Sequence, residues 1–227
     1  GLNSPNFGPY NANGAPTASY LGGSGLANKI TYFTPKFSGF QFGLSYVPDD
    51  VDPDGTQSGN FGIRNKNIVS QQENIVSLAA AYEREVGDLT LGLSGGYEFG
   101  SLQANDAAGT FDDYKAFSLG LNIGYGPILV GGSYAKFNNG LAGDNDGKIW
   151  DVGVSYTTGP WGFSLTHLNS KDEGSGDKMK LYDVAASYEL AAGIRLASGV
   201  IFGDIDPPPA GSDDSVVSFY VGTFLTF

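Results

Sequence analysis

The 227-residue chain has no cysteine, one histidine and one methionine. With no thiol there are no disulfides, no thiolate metal sites and no sulfur nucleophile. With one histidine there is no histidine pair to hold a transition metal. Basic residues are also few: 12 Lys and Arg stand against 24 Asp and Glu, a net charge of −12. A chain this acidic lacks the positive face that phosphate backbones require, so nucleic acid is not an expected partner. No apolar run reaches 18 residues, which excludes a membrane-spanning helix. It does not exclude a membrane barrel, whose strands alternate between lipid and water and so average to a neutral hydropathy. Mean hydropathy here is −0.14. The opening residues carry no charged and apolar leader, so any export signal is expected to have been removed or to lie outside the given sequence.

Catalytic signatures are missing as well. There is no nucleophile elbow and no phosphate-binding glycine loop in a strand-to-helix context. His167 falls at the expected end of a strand and reads as an interface residue, not a base. No reaction and no cofactor are expected. Asp50, Asp52, Asp54 and Gly55 open like a calcium loop, but position twelve is Phe61 and the flanks are not helical, so that motif fails. Clustered loop carboxylates still suit a hard cation. Asp50, Asp52 and Asp54, or Asp144 and Asp146, are therefore candidate ligands for a structural calcium that would bridge loops to lipid phosphates.

What the chain has instead is glycine (35), tyrosine (13) and phenylalanine (15), arranged with a period of two. In residues 117–125, Phe117, Leu119, Leu121, Ile123 and Tyr125 alternate with Ser118, Gly120, Asn122 and Gly124. This is the signature of a strand with two different faces. The same pattern runs through 27–35 and 39–49, 75–86 and 89–100, 117–126 and 128–137, 149–159 and 161–168, and 180–190 and 194–204. It closes with 215–227. Five hairpins and a final strand make eleven strands of about ten residues, enough for a tilted strand to cross a bilayer. Residues 1–26 differ: they are rich in Gly and Pro, carry no charge and have no period, and read as one long loop.

The connections sort by length. Turns inside each pair are short, around 36–38, 86–88, 126–127, 158–160 and 191–193. Connections between pairs are long and acidic, as in VPDDVDPDGTQSG and GDIDPPPAGSDD. A membrane barrel has short turns at one rim and long loops at the other, whereas a soluble sandwich has no reason to sort them.

One expected face is large and apolar, with Phe40, Phe42, Leu44, Val76, Leu78, Leu91, Leu93, Leu119, Leu121, Val152, Val154, Phe163, Leu165, Val184 and Val200. Near strand ends on that face stand Tyr46, Tyr82, Tyr125, Trp150, Tyr156, Trp161 and Tyr188, joined by Tyr97, Tyr134 and Tyr182. These are the expected interfacial girdles. The other face is Gly, Ser, Thr and Ala with Gln41, Asn122, Asp151, Asp183 and Arg195, the expected lumen wall. Small residues there leave room for water. A soluble β-protein that stacks carbohydrate on its aromatics remains a competing fold-level reading.

The stretch NKITYFTPKFSGFQFGLSYVPD resembles the hairpin that follows the constriction loop of trimeric, sixteen-stranded Gram-negative general diffusion porins. The terminal SVVSFYVGTFLTF resembles the closing strand of such barrels. The resemblance implies an all-β, transmembrane, antiparallel up-and-down barrel in the outer membrane of a Gram-negative bacterium, of which this chain supplies the constriction loop and the last eleven strands. It further implies a homotrimer, contact with lipopolysaccharide and other outer-membrane lipid, and transport of ions and small hydrophilic solutes. Phe227 would belong to the insertion signal. About five strands would precede Gly1, in line with an even strand count; the alternative is a smaller barrel with a twelfth strand from residues 9–22. If residues 1–26 are the constriction, its lining is Asn3, Asn6, Tyr10, Asn11, Asn13, Thr17 and Tyr20. This departs from the acidic constriction of many porins. The acidic mouth then suggests a mild cation preference, and a substrate-selective or plugged barrel is the alternative. Gly95 and Gly132 on the apolar face are candidate positions for a flat contact between subunits.

Overall fold

In the computed structural model, residues 28–49, 71–104, 106–138, 140–206 and 214–226 are described. They form one antiparallel sheet of eleven strands in which every strand pairs with its sequence neighbour, in the order β1 through β11. The strands are β1 (Ile30–Phe33), β2 (Phe40–Asp49), β3 (Gln72–Val86), β4 (Leu89–Leu102), β5 (Tyr114–Tyr125), β6 (Ile128–Phe137), β7 (Gly147–Thr158), β8 (Trp161–Asp172), β9 (Lys178–Ala191), β10 (Ile194–Asp206) and β11 (Ser215–Leu225). All ladders are hairpin neighbours, so backbone N–H and C=O groups are satisfied between adjacent strands, the condition for crossing hydrocarbon. Among the described residues β1 and β11 do not pair with each other.

Tight turns follow from local chemistry. Between β5 and β6 only Gly126 and Pro127 lie outside the strands. Gly126 takes a φ of 54°, which a residue with a Cβ adopts at a cost and glycine adopts freely.

The first strand is shorter than the expected 27–35 at both ends, and the other strands differ from expectation by more than one residue only at the long-loop rim, apart from the chain's last residues. β3, β5, β7 and β9 begin two or three residues earlier than the alternation predicts, and β4, β8 and β10 end two to four residues later. The β8–β9 connection shrinks to residues 173–177, so half of NSKDEGSGDK is strand and not loop. His167 consequently sits in mid-strand, not at a strand end.

The register places every side chain. Leu44, Leu78, Tyr97 and Phe117 stand opposite one another in turn, and the same row continues into Lys136, Lys148, Lys171 and Lys178. One row thus passes from apolar to charged as it crosses the sheet. That stagger is what tilted barrel strands produce, because a line perpendicular to the strands climbs relative to the barrel axis.

The two faces are unlike. Leu119, Leu121, Val152, Val154, Phe163, Leu165 and Val184 share one face and are all exposed. Among the described residues no second sheet covers them, unlike the stacked-sheet architecture of a soluble sandwich. The buried apolar residues, including Val47, Ile75, Ile149, Leu168, Met179 and Leu181, all lie on the opposite face and near the long-loop rim.

Candidate pore wall and membrane-facing surface

The small-residue face carries all five residues expected on the lumen wall. Gln41 donates from Nε2 to the Thr34 carbonyl at 3.1 Å. Asn122 stands opposite Gly92 and Gly131 in the ladders. Asp151 accepts a short hydrogen bond from the Ser133 hydroxyl. Asp183 receives the Tyr220 hydroxyl at 3.1 and 3.2 Å. Arg195 places its guanidinium 5.0 Å from the Phe224 ring centroid. Register adds one acid that alternation alone did not single out: Glu98, 3% exposed, which takes the Ser77 hydroxyl at 2.8 Å. It lies between Tyr97 and Phe99, whose pull toward the apolar face fixes Glu98 on the other.

Charge is segregated between faces. Asp49, Glu83, Glu85, Glu98, Asp151, Asp172, Asp183 and Glu189 share the small-residue face with Arg195 as the basic residue among its described strand positions. The apolar face holds Arg84 and a set of lysines, with Asp204 and Asp206 as its strand carboxylates.

The sense of the alternation reverses near the long-loop rim. In β9, Val184 is on the exposed face and Asp183 on the other, yet two residues further Leu181 and Met179 are buried on the Asp183 face while Lys180 and Lys178 are exposed on the Val184 face. Residues 148–152 of β7 repeat this, with Lys148 outward and Ile149 buried beyond Trp150 and Asp151. Ala135, Ile149, Leu168, Met179, Leu181, Ile201 and Ile205, flanked by Phe137, pack into one apolar strip. The expectation of a uniformly small and polar lumen face is therefore corrected: toward this rim that face is an apolar, packed wall. A strand keeps its greasy side toward hydrocarbon until the hydrocarbon ends. Beyond that level water wets the outside, and the apolar side chains turn inward.

Aromatic rings mark the level at which this happens. Trp150, His167 and Tyr182 touch in series, with centroids 5.1 and 4.3 Å apart, and His167 Nδ1 lies 3.0 Å from the Leu181 carbonyl. Phe117 and Tyr134 extend the band at 5.7 Å, and on β2 Tyr46 donates to Asn74 Oδ1 at 2.7 Å. At the short-turn rim, Phe40 meets Tyr82 at 4.5 Å and Trp161 meets Tyr188 at 4.6 Å. Tyr125 and Tyr156 flank Ile128 there. All seven expected interface aromatics thus lie on the exposed face in two bands, the arrangement of girdles.

The long-loop rim is braced by loop pairing. Phe111 bridges Leu141, and Thr110 and Asp112 bond to Ala142 and Gly140. Asp106 accepts backbone N–H groups of Phe111 (2.7 Å) and Ala108 (2.9 Å), with the Phe111 bond foremost in holding its carboxyl below the usual carboxylate range. Glu173 is likewise held low, mainly by Lys148 at 2.7 Å. Of the calcium candidates, Asp146 is engaged by Lys136 at 2.6 Å. Among the described residues no group of three or more acidic or histidine ligands comes together. Asp50, Asp52 and Asp54, the constriction candidates Asn3, Asn6, Tyr10, Asn11, Asn13, Thr17 and Tyr20, and Phe227 lie outside the described residues.

A family model for Gram-negative porins matches residues 2–205. The chain belongs to the Gram-negative porin family. This porin chain is 27% identical over 201 residues to an outer membrane porin protein of Bordetella pertussis, covering 86% of this chain and 47% of that protein. A Rickettsia typhi protein is 25% identical over 214 residues, covering 74% of this chain and 48% of the relative. The porin chain therefore spans about half the length of the curated relatives it matches. Solved structures with the same strand arrangement include Salmonella typhi OmpF in complex with daunomycin (TM-score 0.61, 18% identity, 87% of this chain and 62% of that one). The anion-selective porin of Comamonas acidovorans is also similar (TM-score 0.56, 18% identity, 87% and 55%). The porin is an outer-membrane β-barrel protein: its exposed apolar face is the lipid-facing one and its small-residue face the inner one.

Proposed function

We propose that the intact protein is a passive channel for small hydrophilic solutes and ions that favours cations, with the short-turn rim periplasmic and the long-loop rim external. The observation that carries this reading is the segregation of charge: acids line the inner wall while lysines face outward. A field of fixed carboxylates concentrates cations and repels anions along a water-filled path. The neighbour named anion-selective shares the fold at 18% identity, which carries no selectivity across, and in this chain selectivity would rest with residues such as Asp151, Asp183 and Glu98. Assembly as a homotrimer is part of the proposal.

The test is the reversal potential of the intact protein in planar bilayers across a KCl gradient. A cation-selective sign is expected, and Asp151→Asn with Asp183→Asn reduces the cation-to-anion permeability ratio. Anion selectivity in the unaltered protein, or a ratio indifferent to both substitutions, overturns it. A nearly silent but folded barrel would instead favour the plugged alternative.

A further inference from the structure

The inner wall of β1 to β5 carries a run of hydroxyls that charge selection does not use. Thr31, Ser45, Ser77 and Glu98 stand directly opposite one another in turn across four strands, a span of about 14 Å at the usual strand spacing. The neighbouring row on the same face is Phe33, Gly43, Ala79, Gly96 and Ser118. Gly43, Ala79 and Gly96 have no side chain or a methyl group alone, so this second row lies lower than the first. A trough of about 430 Å³ opens over it, a volume within the range of small-molecule sites. Past β5 the row enters the packed apolar wall at Ala135 and Ile149, which closes that end.

Three features set the trough apart from a wall that is merely wet. Its hydroxyls are held in place: Thr31 and Ser45 Oγ atoms lie 2.9 Å apart, and Ser77 donates to Glu98 Oε2 at 2.8 Å. A hydroxyl that has made one bond can still make others, so the row presents fixed donors and acceptors. Glu98 is 3% exposed, yet its second oxygen, Oε1, is buried with no hydrogen-bond partner. A buried carboxylate oxygen left unpaired is costly, and hydroxyl donors on a bound solute would relieve it. The third feature is Phe33. Its ring lies against the β2 backbone, where a Cβ on Gly43 would come within 2.8 Å of it, and the residue is 60% exposed. An apolar ring in a water-filled passage is stabilised when another apolar surface covers it.

These features select among solutes. Lys29 borders the β1 end of the trough and Glu98 its β4 wall, so the formal charges around it balance and a neutral solute is favoured over either ion. A simple amine would engage the carboxylate and leave the hydroxyls and the ring unused. A pyranose sugar engages all three. Its adjacent hydroxyls donate to one carboxylate and bond in either sense to Ser and Thr, and its C–H face covers the ring.

We propose that this trough is a binding subsite for a neutral pyranose sugar passing through the channel. The proposal rests on the channel reading above and adds a substrate class to it. The test measures maltose binding to the intact protein in a sugar-free detergent by saturation-transfer NMR, an assay that needs no ion conduction. Sorbitol and a polyethylene glycol of similar mass are the acyclic probes, and glucose and glucosamine are the pair that differs in charge. Maltose should bind more tightly than sorbitol, and the polyether should show no saturable binding. Glu98→Gln should weaken maltose binding about tenfold, as expected for a lost charge-assisted hydrogen bond. Phe33→Ala should weaken it severalfold, and Phe33→Tyr should keep it. Thr166→Ala, on the inner face of β8 outside the trough, should leave it unchanged. Heat-modifiable gel mobility checks that each variant is folded. Equal binding of maltose and the polyether, tighter binding of glucosamine than of glucose, or folded Glu98→Gln and Phe33→Ala variants that bind maltose as the unaltered protein does, overturns the proposal. A conducting channel that binds no sugar refutes the subsite alone, whereas a silent barrel that binds maltose refutes the channel reading alone.

Discussion

Exchanging Leu121 and Asn122 for arginine, one at a time, tests the assignment of solvents to faces. The two residues are adjacent on β5 and point to opposite sides, Leu121 opposite Leu93 and Gly132, Asn122 opposite Gly92 and Gly131. Leu121 is also the midpoint of its outward run, four residues from Phe117 and four from Tyr125. That run covers about 26 Å along the strand, or about 20 Å of depth at a tilt near 40°, close to the height of a barrel's apolar band. A cation at Leu121 therefore lands near the bilayer midplane, where it costs about 2–4 kcal/mol. At Asn122 it enters a polar, hydrated wall, where a surface-like change within about 0.5 kcal/mol is expected, together with a shift of reversal potential toward anions. Urea titration of folding into phosphatidylcholine vesicles, followed by tryptophan fluorescence and gel mobility, measures both. Equal costs at the two sites, or a larger cost at Asn122, would refute the placement of hydrocarbon and water.

Three further outcomes follow from particular contacts. Trp150 and Trp161, the chain's two tryptophans, lie in opposite girdles, so bromines near the lipid carbonyls should quench both more than bromines at the chain ends, and the reverse order would contradict the girdles. The Asp106 carboxyl sits below its ordinary range when folded, so its contribution is complete above the unfolded carboxylate value and fades as pH falls through the folded one. Pepsin cleavage of the 103–113 loop should accordingly rise on acidification below the ordinary carboxylate range, Asp106→Ala should cleave readily above it, and a pH-independent wild type would count against the loop brace. Gly39 has a φ of +88°, and a Cβ there would lie 2.4 Å from the Glu83 carbonyl oxygen, so Gly39→Ala should destabilise folding by about 1–3 kcal/mol, whereas an unchanged urea midpoint would mean the turn relaxes.

The sequence disclosed most where one physical rule governs a whole strand. Residues 128–137 follow directly on the two-residue turn at Gly126 and Pro127, and β6 has the expected bounds. Faces followed too, since Leu121 and Asn122 differ in polarity and pleat geometry does the rest. Legibility failed where the rule inverts. At Lys178, Met179, Lys180 and Leu181 the residues still alternate, but with charge outward and apolar groups inward, so a scan for one greasy face starts the strand two residues late, at Lys180. The outward lysines of this rim were hidden for that reason, although Lys-Ala-Phe, Lys-Ile-Trp and Lys-Leu-Tyr at 115–117, 148–150 and 180–182 open three of the strands that carry them. Glu98 was overlooked because its burial depends on neighbours that only the ladder brings near.

Strictly sequential pairing has a consequence for how such a wall can vary. Each hairpin touches only the one before and the one after, so whole hairpins can be gained or lost by ancestral duplication or deletion while every remaining ladder keeps its partners. An odd change would invert all later strands, sending lysines to the periplasm and carboxylates into lipid. Inheritance in twos is thus built into the ribbon itself.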